Sequence, residues 1–292
     1  MSNLAIDTKQ FLYSAHKSLA KHPTLWRELK DAREALNQNV ERLSELQERL
    51  FADNRHSVLM IFQGMDAAGK DSTIKNVTSG VNPMGFQVFN FKQPTYKELD
   101  HNYLWRYWRA MPERGRIGIF NRSHYEEVGV VRVHPEIIEA RNLPHKNVNG
   151  SFWEDRFEDI RAMERHLHTN GTLVLKFFLN VSKAEQKARL LRRLNRPDKL
   201  WKFDPRDIDE RVHWDAHQHA YAEAIKATHG EHAPWYIVPA DHRGTMRVIV
   251  AEILCEHLER LNLAYPKVAG DFKKAVKSAL ARLESEGEKG SE

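Results

Sequence analysis

The feature that most constrains this chain is a short apolar run that ends in a glycine-framed turn and a lysine. Ser57 to Gly64 reads SVLMIFQG, and Gly64-Met65-Asp66-Ala67-Ala68-Gly69-Lys70 then spells G-x-x-x-x-G-K ahead of the helical stretch DSTIKNVTSG. A buried strand feeding a glycine-rich loop and a helix N-terminus is the setting in which backbone N–H groups curl around phosphate oxygens. Gly64, Ala67, Ala68, Gly69, Lys70, Asp71 and Ser72 are therefore the candidate phosphate-binding residues, with Lys70 neutralising the distal phosphates. Asp71 stands where a Ser or Thr hydroxyl ordinarily meets Mg²⁺, so the metal must be held differently. Asp66 lies inside the loop, where a carboxylate is costly unless a cation shares the site. It reads as a metal ligand, although an Asp at a helix start can also serve as its cap.

Similar apolar runs recur at Gly85 to Phe91, Arg116 to Asn121, Thr172 to Val181 and Pro234 to Ala240, with helix-length segments between them. Five strands joined by crossovers predict an α/β fold of the P-loop kinase-like, three-layer kind, with a parallel sheet and ligands at the strands' carboxyl ends. Apolar positions at helical spacing from about Thr24 to Ala52 predict a long amphipathic helix. No linker divides the chain, so residues 1–292 read as one domain: N-terminal helices to about 55, a core over about 56–263, and beyond 264 a helix with a polar tail, SEGEKGSE.

The second strand ends at Lys92 before Gln93-Pro94, where a lysine can meet an anion. The third ends in Asn121-Arg122-Ser123-His124-Tyr125-Glu126. Arg122 offers a planar donor fork for phosphate, and Glu126 can complete a Mg²⁺ sphere with Asp66. Ser123 and Glu126 also have the spacing of a capping box, and the two readings are compatible. Lys92, Asn121, Arg122 and Arg132 are the candidates to hold an acceptor nucleotide.

Net charge is +5, but Lys183 to Lys202 alone carries eight basic residues against two acids. The helical pattern from Ala184 to Leu194 sets Arg189 and Arg193 four apart on one face, as a lid spanning about 183–215 would need to close over phosphates, with Arg192, Lys199 and Lys202 extending the basic groove. A solvated basic face is the alternative. Trp201 and Trp214 are expected to pack the lid's hinge. His213 and His217 are spaced i, i+4 without an H-E-x-x-H pattern, which speaks for packing or surface positions rather than zinc.

GMDAAGKD, FKQPT, FNRSHYEEV, RLLRRLNRPDKLWKFDP, RVHWDAH and PWYIVPAD, in this order, resemble the family-2 polyphosphate kinases from about Ser57 to Leu263. The resemblance implies Mg²⁺-dependent (or Mn²⁺-dependent) reversible phosphoryl exchange between inorganic polyphosphate and purine nucleotides (ADP and AMP, with GDP a further acceptor), and a homo-oligomer, dimer or tetramer, built through helical parts. By position it assigns catalytic roles to Asp66, Lys70, Arg122, Arg189 and Arg193, beside Glu126. One branch reads FDRSWYN where this chain has FNRSHYE, so the carboxylate has moved along the turn from position 121 to 126, as in the branch that accepts nucleoside mono- and diphosphates.

Two other functions share parts of this pattern. An ATP-dependent nucleoside monophosphate kinase has the same loop and lid arginines. A nucleotide-gated switch protein would need D-x-x-G and N-K-x-D elements, which are missing at the expected places. Zinc, RNP-like and glycine-clamp signatures of nucleic-acid binders are also missing, so no nucleic-acid partner is expected. The N-terminus lacks a secretory pattern and no apolar run approaches a membrane span, which predicts a cytoplasmic chain without a membrane partner. Cys255, the single cysteine, sits in an apolar helical pattern and reads as a small buried side chain.

Overall fold

The computed structural model describes residues 6–141, 143–144, 148, 150–267 and 269–288. Five strands, β1 (Ser57–Gln63), β2 (Phe86–Asn90), β3 (Ile117–Asn121), β4 (Thr172–Asn180) and β5 (Trp235–Pro239), form one sheet in the order β2-β3-β1-β4-β5. Every pairing is parallel, with Val58 opposite Ile117 on one side of β1 and Leu173 on the other. A parallel sheet has both faces covered, which explains why β1 is buried at all seven positions and reads as a continuous apolar run.

The main helices are α1 (Ala32–Asp53), α2 (Lys70–Val77), α3 (Gly150–Thr169), α4 (Lys183–Leu194), α5 (Trp214–Thr228), α6 (Arg243–Arg260) and α7 (Gly270–Glu288). α1, α2 and α6 pack together as one layer, α3 and α5 as the other. α1 turns Leu43, Leu46 and Leu50 inward and ends at Asn54, whose φ of 52° is the left-handed conformation that stops a helix. α6 is buried along most of its length, Cys255 included, and burial pushes that thiol up to about 12. Among the described residues no helix is long and apolar enough to cross a membrane.

The N-terminal helix is shorter than its apolar spacing predicts. Leu25 and Leu29 precede it, in a strap whose backbone groups are satisfied by the body of the protein instead of by helical bonds. Asn180 Nδ2 donates to His22 O and Pro23 O, Asp241 N donates to Thr24 O, and Leu29 N donates to Thr245 Oγ1. The strap thereby closes over the ends of β4 and β5. At the other terminus α7 continues through Glu288, so the first half of SEGEKGSE is helical; the remainder lies outside the described residues. Of the two tryptophans expected to pack a hinge, Trp214 is buried at the start of α5 and Trp201 is 77% exposed.

One charge sits at the middle of the sheet. Lys176 on β4 is fully buried, and its Nζ donates to Glu164 Oε2 (2.6 Å), Tyr125 Oη (3.0 Å) and Thr228 O (2.8 Å). Three partners match the three protons of an ammonium, so both charges stay ionised in spite of burial. Replacing Lys176 by Met strands Glu164 and should cost about 3–5 kcal/mol, read as a lower denaturant midpoint. The double variant Lys176→Met, Glu164→Leu should recover part of that loss.

Candidate active site

The phosphate loop leaves the central strand β1 and enters α2. Its path needs positive φ at Gly64 (145°), Ala67 (59°) and Gly69 (111°). A Cβ at Gly64 would lie 2.8 Å from Leu179 O, so close approach to β4 as well as backbone conformation requires glycine there. A loop of this kind turns amide hydrogens inward, and its carbonyls must find other donors. Lys70 Nζ donates to Gly64 O (2.7 Å) and Met65 O (3.3 Å). Gln186 of α4 donates to Asp66 O (3.0 Å), and Arg189 donates to Ala67 O (3.1 Å) and Ala68 O (2.6 Å). Ser72 and Thr73 hydroxyls donate to Gly69 O.

Arg189 thus stands behind the loop. It is buried, reaches Ala240 O with its second amino group, and is oriented by Glu185 (2.9 Å). The helical spacing sets Arg189 and Arg193 on one side of α4, but the tertiary neighbours separate them: Arg193 pairs with Asp207 at 2.7 Å.

In front of the loop, Arg122 is held between two carboxylates. Its Nη2 is 2.5 Å from Asp66 Oδ1 and its Nη1 is 2.9 Å from Glu126 Oε2. Arg122 has a left-handed backbone, φ 63°, an uncommon cost for a non-glycine residue that aims the guanidinium back at the loop. Asp66 does not cap α2, whose cap residue is Gly69. Burial alone would push the Asp66 carboxyl up, but Arg122 and Lys70 outweigh it and hold it below the usual carboxylate range. Glu126 and Asp66 in turn raise Arg122 further, so the guanidinium stays charged. Ser123 caps the turn by accepting from Tyr125 N, while the Glu126 carboxylate faces Arg122 and makes no capping box. Asn121 Nδ2 donates to Asp71 Oδ1 (2.9 Å), and Asn121 Oδ1 is buried with no hydrogen-bond partner among the described residues.

The remaining candidates are more dispersed. Lys92 is exposed at the end of β2. Arg132 pairs with Glu223 on α5 and lies over the Trp153 ring, so its contacts are with the helical layer. Arg192 is on the solvent side, bound to Glu185 at 2.6 Å, and Lys199 is exposed beside Asp198 at 3.4 Å. The Lys202 side chain lies outside the described residues.

Three residues at this site had no signal in the sequence. Gln186 and Arg211 form a chain from the lid to Asp66 O, Arg211 donating to Gln186 Oε1. Asp207 is the third: burial first, then repulsion from Asp66, pushes its carboxyl up, while Arg193 pulls against both. The segment between α4 and α5 therefore brings one more acid into electrostatic reach of Asp66.

A family model described as polyphosphate kinase 2 matches residues 27–265. An ADP-polyphosphate phosphotransferase of Rhodopseudomonas palustris is 48% identical over 271 residues, covering 90% of this chain and 94% of that one. An AMP/ADP-polyphosphate phosphotransferase of Meiothermus ruber is 47% identical over 236 residues, 81% of this chain and 84% of the other. The crystal structure of polyphosphate kinase 2 from Arthrobacter aurescens superposes with a TM-score of 0.87 at 35% identity, over 96% of this chain and 98% of that chain.

Lys70 supplies a test of the loop. Burial, and next the charge of Arg122, bring its amine down to about 8. An anion bound in the loop raises it again, so binding is fully supported below that value and weakens as pH rises through it. Calorimetry with inorganic triphosphate in two buffers of different ionisation heat should show proton uptake at about pH 9 that vanishes at about pH 6.5. Lys70→Met should remove the uptake; the same uptake in the variant would place the titrating group elsewhere.

Proposed function

The chain belongs to the polyphosphate kinase 2 family, and from that premise we propose that it transfers phosphoryl groups between inorganic polyphosphate and ADP or AMP, in either direction. The observation that supports this most directly is the juxtaposition of a phosphate loop with two carboxylates that together hold a cation, Arg122, in front of it. In the forward direction a terminal phosphate oxygen of the nucleotide attacks the last phosphorus of the chain. The new P–O bond forms as the anhydride bond to the next phosphate breaks, and the electron pair leaves on a polyphosphate one unit shorter. Such a transfer asks for alignment and charge neutralisation more than for covalent help.

The loop amides and Lys70 hold the phosphate donor. Arg122 presents a planar fork to the transferring or acceptor phosphate. Arg189 keeps the loop in its binding shape, so its part is positioning, and Arg193 on the lid adds charge once released from Asp207. Lys92, Asn121 and Arg132 extend the acceptor side.

The residues also fit a divalent cation. Asp66 and Glu126 are hard oxygen donors already holding positive charge, and Asn121 Oδ1 is a buried oxygen without a partner. Mg²⁺, with Mn²⁺ as substitute, would be held there and would neutralise charge on the reacting phosphates. GDP as a further acceptor, a cytoplasmic location where nucleotides are drawn on, and a homo-oligomer complete the proposal. Exposure of Phe272, Val276, Leu280 and Leu283 along α7 supports the last.

The deciding experiment incubates ADP or AMP with polyphosphate and Mg²⁺ and follows the nucleotide produced. ATP or ADP should appear, vanish in excess EDTA, and fall at least about 100-fold in Lys70→Ala with the fold retained. Turnover from ATP and a nucleoside monophosphate, with none from polyphosphate, would favour an ordinary nucleotide kinase.

A second comparison concerns the lid. Neutralising Lys199 and Lys202 should weaken long-chain polyphosphate and flatten its salt dependence while changing ATP or ADP affinity little, because only a long chain reaches them. Arg189→Ala and Arg193→Ala should slow the reaction with every donor, and Arg189→Ala should also lower thermal stability. Equal losses on all donors for the lysine pair would contradict the groove.

A further inference from the structure

Away from the phosphate loop, three side chains from two distant parts of the chain converge. His134 caps the short helix Val130–Val133 that follows β3, Glu210 opens the turn Glu210–His213 at the end of the lid segment, and His217 lies one turn into α5. His134 Nε2 is 3.0 Å and His217 Nε2 2.8 Å from the same atom, Glu210 Oε2. All three candidate ligand atoms lie within 4.8 Å of one another, and this is the one such group of three among the described residues.

A carboxylate oxygen shared by two ring nitrogens needs positive charge between them, either imidazole protons or a cation. A second observation fits the outer shell of a metal ligand. His134 Nδ1 is 3.1 Å from Glu136 Oε1, so His134 has a carboxylate at each nitrogen. A carboxylate accepts only, so His134 is either an imidazolium donating to both acids, a state that both carboxylates favour, or a neutral ring with its proton on Nδ1 toward Glu136 and its Nε2 lone pair offered to a cation beside Glu210. In the neutral state the lone pair would face an anion, and a metal between them removes that repulsion. A histidine whose remote N–H is held by a carboxylate is also the usual outer arrangement of a metal-ligating imidazole.

We propose that His134, Glu210 and His217 form a transition-metal site, with a two-imidazole, one-carboxylate donor set suited to Zn²⁺, that fastens the end of the lid segment to the core. Zn²⁺ bonds of roughly 2.0–2.2 Å to nitrogen and oxygen need ligand atoms about 3.4 Å apart, close to the 3.0 and 2.8 Å that now separate the imidazole nitrogens from Glu210 Oε2. Three protein ligands leave one position for water. Imidazole donors select against Mg²⁺, so this site is chemically distinct from Asp66 and Glu126. It nevertheless bears on them, since His217 already contributes to holding the Asp66 carboxyl low. The site does not depend on the phosphotransfer reaction, and its test needs no turnover.

The full chain, free of any affinity tag and stripped with EDTA, is titrated with Zn²⁺ and separately with Co²⁺ in the presence of millimolar Mg²⁺. One equivalent should bind, Co²⁺ should give the visible absorption of a four- or five-coordinate nitrogen and oxygen site, and the melting temperature should rise. Glu210→Gln keeps the shape but is a poor ligand, and should weaken Zn²⁺ binding more than about 100-fold. Glu136 is largely exposed, so Glu136→Gln leaves folding intact and should weaken binding about tenfold by loosening His134. No stoichiometric binding to the wild-type chain, or equal binding in the wild-type and Glu210→Gln chains, would overturn the proposal and leave a hydrogen-bonded triad.

Discussion

A loop that aims its amide hydrogens at an anion must turn its carbonyls the other way, and the rest of this site follows from finding donors for them. Every carbonyl from Gly64 to Gly69 is met: by Lys70, by Gln186, by Arg189 and by the hydroxyls of Ser72 and Thr73. Two of these donors come from α4, more than a hundred residues further along the chain. Leaving even one such carbonyl unmet in a buried setting costs about 1–3 kcal/mol. α4 is therefore tied to the loop by backbone satisfaction, while Leu191, Leu200 and Trp201 further along are exposed.

Charge is balanced at the same place with little slack. Lys70, Arg122, Asp66 and Glu126 are packed so that removal of either sign leaves the other without compensation, and Asp207 on the lid adds a further acid whose carboxyl is pushed up by burial and by Asp66. On the proposed function, a phosphate chain bound with a metal would change this balance in both directions. Arg122 would then exchange its two carboxylates for phosphate oxygens while the metal took its place beside them.

The sequence and the structure agree most closely where a signal is local. Strand boundaries differ from the expected ones by a residue or so, because fully buried parallel strands are continuous apolar runs bounded by polar or glycine residues. The α1 start differs by eight residues, because Leu25 and Leu29 keep helical spacing while Asn180, Asp241 and Thr245 supply bonds that hold the segment extended. Arg189 has the most instructive position. Its type and spacing fit a residue that closes over phosphate, yet it faces carbonyls behind the loop, since orientation about α4 depends on what the helix packs against.

By itself the sequence determined the fold class, the strands of the sheet, the glycine-framed loop that ends in Lys70 and the Arg122–Glu126 run after the third strand, because each is written in a few consecutive residues; that Asp66 meets Arg122 across 56 residues was left to the fold. Tertiary structure alone decided which arginine braces the loop and which stands on the lid, that Asp207, Gln186 and Arg211 belong to the site, and that His134, Glu210 and His217 meet. The physical reason is distance along the chain: hydrogen bonds and ion pairs act over about 3 Å in space, and only the packed fold establishes which residues come that close.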